Sequence, residues 1–243
     1  MLKKAVKSKL IYGLLALVLA LLVYVALPRQ SSVTEAPSSD TLTVETAEDV
    51  LKVVPEYSSQ AYVVINDNEP FFDIGDYEPT SFEQYGELDE SGRCTYAFAC
   101  IGTDIMPTKK RGSISHIYPT GWEQAKYDCV YGKSLYNRCH LIGYQLSAEN
   151  ANKANLITGT RYMNTEGMLP FENVVADYVK ETDNHVLYRV TPIFEGDNLV
   201  ASGVLMEAKS MEDKGEGICF SVYCYNVQPG VVIDYATGKS KLE

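Results

Sequence analysis

Four polar side chains along residues 140–172, His140, Asn155, Asn164 and Glu172, are those best suited to carry chemistry in this sequence. His140 closes a strand-like run that begins at Leu135-Tyr136, and it is one of three histidines in the chain. A neutral imidazole near pH 7 takes a proton from water, which makes histidine the usual general base. Asn164 and Glu172 follow 24 and 32 residues later, in a stretch that reads as helical. An amide oxygen and a carboxylate suit a hard divalent cation that keeps most of its waters, Mg²⁺ or Mn²⁺. One base, one sparse oxygen site and the nearby Arg138 form a constellation able to cleave a phosphodiester. Taken singly, each residue also has an ordinary structural role: a core histidine, a helix-cap asparagine, an acid in a first helical turn.

Further basic residues surround this run. Arg138 and Arg161 are candidates for clamping phosphate and for meeting charge in a pentavalent transition state, and their bland alternative is a solvated arginine. Lys109, Lys110 and Arg111 form a triplet that either tracks a substrate backbone or is a plain exposed loop. Asn155 is expected to tie the loop after the His140 strand to the helix bearing Asn164. His116 and His185 lack comparable surroundings and are expected to be structural or surface residues.

The run Asn137-Arg138-Cys139-His140, then Lys153-Ala154-Asn155-Leu156, Asn164 and Glu172, resembles the catalytic segment of the DNA/RNA non-specific endonucleases. These are the ββα-metal, or His-Me finger, nucleases, and the likeness is to their secreted or membrane-anchored DNA-entry type. It extends upstream to Met106–Ile114 and downstream to Asn226–Gly230 and Asp234–Gly238, so it spans roughly residues 78–240. The resemblance implies an α+β, ββα-metal nuclease fold. It implies His140 as general base, Asn164 as the direct protein ligand of Mg²⁺, and Glu172 holding or orienting the waters of that ion. Water rather than a ribose hydroxyl would attack phosphorus, so DNA and RNA would both be cut, leaving 5′-phosphates. Contacts to phosphate carry little sequence information, so specificity would be low. Two positions depart from the pattern: Asn137 stands where the family has Asp, and Cys139 where it has Gly. An amide at 137 still orients neighbours by hydrogen bonding but supplies no charge. A backbone carbonyl would then be the partner that orients His140.

Charge bears on the partner. The net charge of −11 is unfavourable for a protein that must meet phosphates. Its distribution is uneven: residues 104–165 hold eight Lys and Arg against four Asp and Glu, a local surplus of +4 against −15 elsewhere. A basic island on an acidic body is compatible with a nucleic-acid substrate. Two other readings stay open. One is a surface nucleic-acid-binding or uptake module with an impaired site, which Asn137 favours. The other is a surface interaction protein unrelated to nucleic acid, which the overall acidity favours.

The N-terminus reads as a targeting segment. Lys3, Lys4, Lys7 and Lys9 form a basic stretch (residues 1–9), expected to be cytoplasmic, ahead of eighteen uncharged residues, Leu10–Leu27. That length sits at the short edge of a membrane span, and the flanking lysines orient it with the N-terminus inside. An uncleaved signal anchor is expected, with a cleaved secretory signal as the alternative; both place the remaining chain outside the cytoplasm. Residues 28–46, rich in Ser, Thr and Pro, form a linker, and residues 47–243 one nuclease-sized domain. Six cysteines in that compartment admit disulfides, with Cys94/Cys100, Cys219/Cys224 and Cys129/Cys139 as the pairs considered. Buried thiols packing as small hydrophobes are the equal alternative.

The elements that must position the site follow from patterning. Ala47–Val54 is a short helix, Ala61–Asn66 and Arg93–Gly102 are strands, and the acidic residues 67–92 wrap the surface. Gly112–Ile117 and Asp128–Tyr131 are short strand candidates, and Ser134–Ile142 the strand that ends near His140; together they supply the two strands of a ββα unit. A polar loop, residues 147–153, then leads to a helical piece with Asn164 and to a helix over Phe171–Thr182. Val174, Val175, Tyr178 and Val179 form the apolar face of that helix. Three strands, His185–Glu195, Leu199–Lys209 and Gly217–Val227, close the chain, the first two joined by a turn at Gly196-Asp197-Asn198. The sum is a mixed or antiparallel sheet flanked by helices.

Overall fold

Alternating apolar residues in the last third of the chain build the frame that everything else packs on. The computed structural model describes residues 47–243, so the basic segment, the anchor and the linker lie outside the described residues. Six antiparallel strands form the central sheet in the order β1 (Tyr62–Val64), β8 (Cys219–Tyr225), β7 (Gly203–Ser210), β6 (Val186–Ile193), β3 (Ala97–Ile101) and β2 (Phe82–Tyr85). Val186, Tyr188 and Val190 of β6 face one core with Val204, Met206 and Ala208 of β7, as the period of two requires. The intervening Leu187 packs on the other face with Phe98 and Cys100 of β3. Both faces are therefore covered.

The first face carries the site. A two-stranded antiparallel hairpin, β4 (Tyr136–His140) with β5 (Leu156–Thr160), lies over it. Between these strands comes the short helix α2 (Tyr144–Ser147), and after them a π-helical turn, Met163–Met168, runs into α3 (Leu169–Thr182). Cys139, Leu141, Ile142, Leu146, Met163 and Met168 seal this layer against the sheet together with Val175, Ala176 and Val179 of α3. On the opposite face α1 (Ala47–Val53) packs Val50 against Ile193, Leu205 and Tyr223. The fold is thus the α+β architecture expected, and every strand pairing among the described residues is antiparallel.

Several boundaries differ from the sequence reading. Gly112–Ile117 and Asp128–Tyr131 form no strands; the partner of the His140 strand is β5, so His140 ends the first strand of the ββα unit rather than the second. Leu-Ile-Thr-Gly-Thr is too short and too apolar for periodicity to distinguish strand from helix, and only pairing with β4 decides it. The acidic stretch 67–92 includes β2, which adds an edge strand through Phe82↔Cys100 to Tyr85↔Ala97. The strand expected from Leu199 begins at Gly203, so the turn after β6 is a longer loop. In α3 the helix starts at Leu169 with Pro170 in its first turn, and Val174 is 51% exposed while Ala176 takes its place in the core. All six cysteines are free thiols. Cys94 packs with the site-bearing core and Cys100 with Phe98 on the other face; Cys129 is exposed whereas Cys139 is buried.

Candidate active site

The two strands of the hairpin are held in register by residues that never touch the cleft. Asn155, fully buried just before β5, accepts from Ile142 N through Oδ1 (2.8 Å) and donates from Nδ2 to Ile142 O (3.0 Å). This pair of hydrogen bonds clamps the chain leaving β4 to the start of β5, whereas the expected tie was to the helix bearing Asn164. At the other end, Asn226 Oδ1 accepts from Thr160 N (2.8 Å) and its Nδ2 donates to Thr158 O and Ala201 O. Gln228 Oε1 accepts from Tyr162 N (3.2 Å). Asn226 and Gln228 belong to the downstream part of the motif likeness, yet nothing in the sequence assigned them this splint.

Asn164 sits in the π turn, where the Leu169 amide donates to its carbonyl five residues back. Single π turns inserted into helices concentrate at functional sites because the wider turn re-aims a side chain. Close packing accommodates it: a Cβ on Gly167 would lie 3.2 Å from Cys224 Cβ of β8. Asn164 Oδ1 accepts from the thiol of Cys139 at 3.0 Å.

His140 is 6% exposed and is held from both ring nitrogens. Nε2 lies 2.9 Å from Asn150 O, and Nδ1 lies 3.4 Å from Arg111 Nη2. A carbonyl only accepts and a guanidinium only donates, so the neutral ring carries its proton on Nε2 and its lone pair on Nδ1. Burial, and then the Arg111 cation, push the pKa of His140 down to about 4, against the opposing pull of the Asn150 bond. At neutral pH the imidazole is uncharged, the form a base requires.

His140, Asn164 and Glu172 all line one cleft of about 630 Å³. Glu172 is half-buried in the first turn of α3, and its carboxylate lies over Gly143, where a Cβ would come within 2.6 Å of Oε2. Burial pushes its pKa up to about 7, although a bond from Gln145 and the Arg111 charge pull the other way. Arg111, Asn137, Arg138 and Arg161 also line the cleft. Asn137 Nδ2 and Arg161 Nε are buried donors with no partner among the described residues, so both have a bond left to give.

Arg138 is placed differently from a free phosphate clamp. Its Nε donates to Ile117 O, its Nη2 to Ser115 O (2.8 Å), and its plane lies 4.2 Å from the centre of the Trp122 ring. Two of its five N–H donors are committed to holding the 115–122 loop against the cleft. Lys109 and Lys110 are exposed and lie outside the cleft lining, although Lys109 O accepts from Tyr144 OH (2.9 Å). Arg111, grouped with them by sequence, is the member that reaches the site. His185 binds Glu212 (2.7 Å) away from the cleft, and His116 is exposed. Trp122, Gln124, Tyr136, Tyr144 and Gln145 complete the walls; no spacing rule links them to His140.

The donor set fits a hydrated hard cation. Asn164 and Glu172 present oxygen only, and among the described residues no group of three His, Cys, Asp or Glu forms a closed cage. A half-buried carboxylate with a raised pKa is itself an incomplete charge environment that a cation would complete.

Comparison with known proteins gives the family and the relatives of the fold. Residues 76–212 match the family described as DNA/RNA non-specific endonuclease. The fold superposes on NucA from Streptococcus agalactiae with magnesium bound, at TM-score 0.67 and 25% identity over 74% of this chain and 87% of that one. The metal-free form of the same NucA gives TM-score 0.66 and 26% identity, covering 74% and 86%. Sda1 nuclease with bound zinc shares the fold at TM-score 0.62 and 24% identity, covering 76% and 97%.

Proposed function

The chain belongs to the DNA/RNA non-specific endonuclease family and is a divalent-metal-dependent nuclease, and from that premise we propose an extracytoplasmic endonuclease that hydrolyses DNA and RNA with little sequence preference. The observation that carries this reading is the shared cleft: His140, Asn164 and Glu172 line it together, and the Nε2 bond of His140 to Asn150 O leaves its lone pair on Nδ1. His140 Nδ1 takes the proton from the attacking water, while the Nε2–H bond to Asn150 O fixes the tautomer and steadies the imidazolium that forms. Arg111 keeps the ring neutral beforehand and lies beside the developing charge on phosphorus. Arg161 Nε and Asn137 Nδ2 donate to non-bridging phosphate oxygens, which supplies the bonds they lack among the described residues. Asn164 would hold Mg²⁺, or Mn²⁺ in its place, with Glu172 ordering the coordinated waters. That ion, when bound, polarises the phosphoryl group and stabilises the leaving 3′-oxygen. The lysine-flanked apolar segment, Leu10–Leu27, tethers the domain to the cell membrane on its outer side.

Plasmid nicking by the purified chain tests the reading in three arms: with Mg²⁺, with EDTA, and as His140→Ala. Cleavage in the first arm alone is expected. Cutting that persists in the His140 variant would remove the base from the mechanism, and DNA binding without any cutting would leave an uptake module.

A further inference from the structure

Position 139 carries a cysteine where the related motif has glycine, and the side chain occupies a specific seat. Cys139 is 1% exposed. Its sulfur lies 3.0 Å from Asn164 Oδ1, 3.4 Å from Met168 Sδ and 3.8 Å from its neighbour's carbonyl, His140 O. A thiol has one proton to donate, and the amide oxygen is both the nearest acceptor and a stronger one than a thioether. Gly159 on the paired strand makes room for this: a Cβ there would meet Cys139 Cβ at 2.7 Å and Sγ at 3.2 Å. Cys139 does not line the cleft whereas Asn164 does, so the thiol reaches the amide from behind.

An asparagine amide has two orientations related by a half-turn, and only its oxygen ligates a cation. The flipped form would exchange this S–H···O bond for a weaker N–H···S one and leave the thiol proton to Met168 Sδ, so the thiol favours the orientation with oxygen toward it. The oxygen has two lone pairs, so accepting from the thiol leaves one for a metal. We propose that Cys139 is a positioning residue for the cation, its S–H holding the Asn164 amide so that oxygen rather than nitrogen is offered to the ion. This rests on Asn164 being the metal ligand.

The test is Mn²⁺ binding to the purified full chain without nucleic acid, read by electron paramagnetic resonance of the free ion. Cys139→Ala should weaken binding about three- to tenfold, the worth of one net hydrogen bond. Cys139→Ser, which keeps a donor, should stay within about twofold of the parent. Melting in EDTA is recorded alongside, because a residue that only packs would lower the melting temperature and leave Mn²⁺ affinity alone. Parental affinity in Cys139→Ala overturns the proposal. If Asn164→Ala also binds normally, the ligand assignment falls with it; if Asn164→Ala loses the ion while Cys139→Ala does not, only the positioning role fails. Should the alanine variant not fold, the Raman S–H band of the parent, identified by its loss in Cys139→Ser, serves instead. That band must shift in Asn164→Leu, and an unmoved band refutes the bond.

Discussion

His140 and Asn150 are joined by a 2.9 Å bond from Nε2 to a backbone carbonyl, and that bond decides which nitrogen of the ring can act. In the related motif an acid stands three residues before the histidine; here the residue is Asn137, whose Nδ2 has no partner among the described residues. A carbonyl thus does the orienting without adding charge, and the ring's low pKa follows from burial and from Arg111.

The first consequence is a pH profile. A base works only when deprotonated, so kcat/KM should rise with pH through about 4 and then stay flat through neutrality, with the metal saturating. Removing the guanidinium in Arg111→Ala takes away one of the two depressing influences. The acidic limb should then move upward, part of the way toward the ordinary histidine value of about 6.5. A limb that stays in place in this variant would exclude Arg111 as a modulator of the base.

His140 and Glu172 should pull metal-free stability in opposite directions over the same pH range. The His140 pKa is lower folded than unfolded, so as pH falls from about 6.5 to about 4 the unfolded chain takes up the proton first and stability is lost. The full amount is about 3 kcal/mol. Glu172 has its pKa raised to about 7, so the folded state binds the proton first and stability is gained as pH falls from about 7 toward 4.5. The two largely cancel in the parent. Urea unfolding in EDTA at pH 7 and pH 4.5 should show His140→Gln gaining on acidification and Glu172→Gln losing. Parallel behaviour of the two variants would contradict these shifts.

Asn155 should matter to folding before it matters to rate. Asn155→Ala removes two bonds and leaves both backbone groups of Ile142 buried without partners, a cost of about 2–4 kcal/mol. Chemical denaturation gives the loss directly. A cost under about 0.5 kcal/mol, the level of an ordinary surface change, would mean the clamp is dispensable.

Gly143 should be sensitive for a steric reason, since its own backbone angles (φ −60°, ψ 144°) suit any residue. The methyl of Gly143→Ala would meet the Glu172 carboxylate at 2.6 Å and displace it. Activity is expected to fall about ten- to a hundredfold, the upper end being the scale of a ~1 Å misplacement of a site group, with little change in melting temperature. Shortening the acid in Gly143→Ala/Glu172→Asp should recover part of it. Full activity in the single variant would show that Glu172 needs no fixed position.

The candidate site residues and the α+β class were legible in the chain because both depend on residue type and local period. His140, Asn164 and Glu172 stand in a recognisable order, and the alternation in Val186–Val190 and Phe220–Cys224 marks strands without outside help. The basic island was legible too, since charge is counted along the chain. What pairs with what was not. The identity of β5 as the partner of β4, the loss of Val174 to solvent, and the separation of Arg111 from Lys109 and Lys110 are settled by contacts between segments far apart in sequence. Arg138 shows the same limit: adjacency to His140 suggested a phosphate clamp, and only the fold shows that carbonyls more than twenty residues upstream take two of its five N–H donors. Hydrogen-bond partners and burial are properties of packed surfaces, and only the folded chain decides which polar groups are left with a bond to offer.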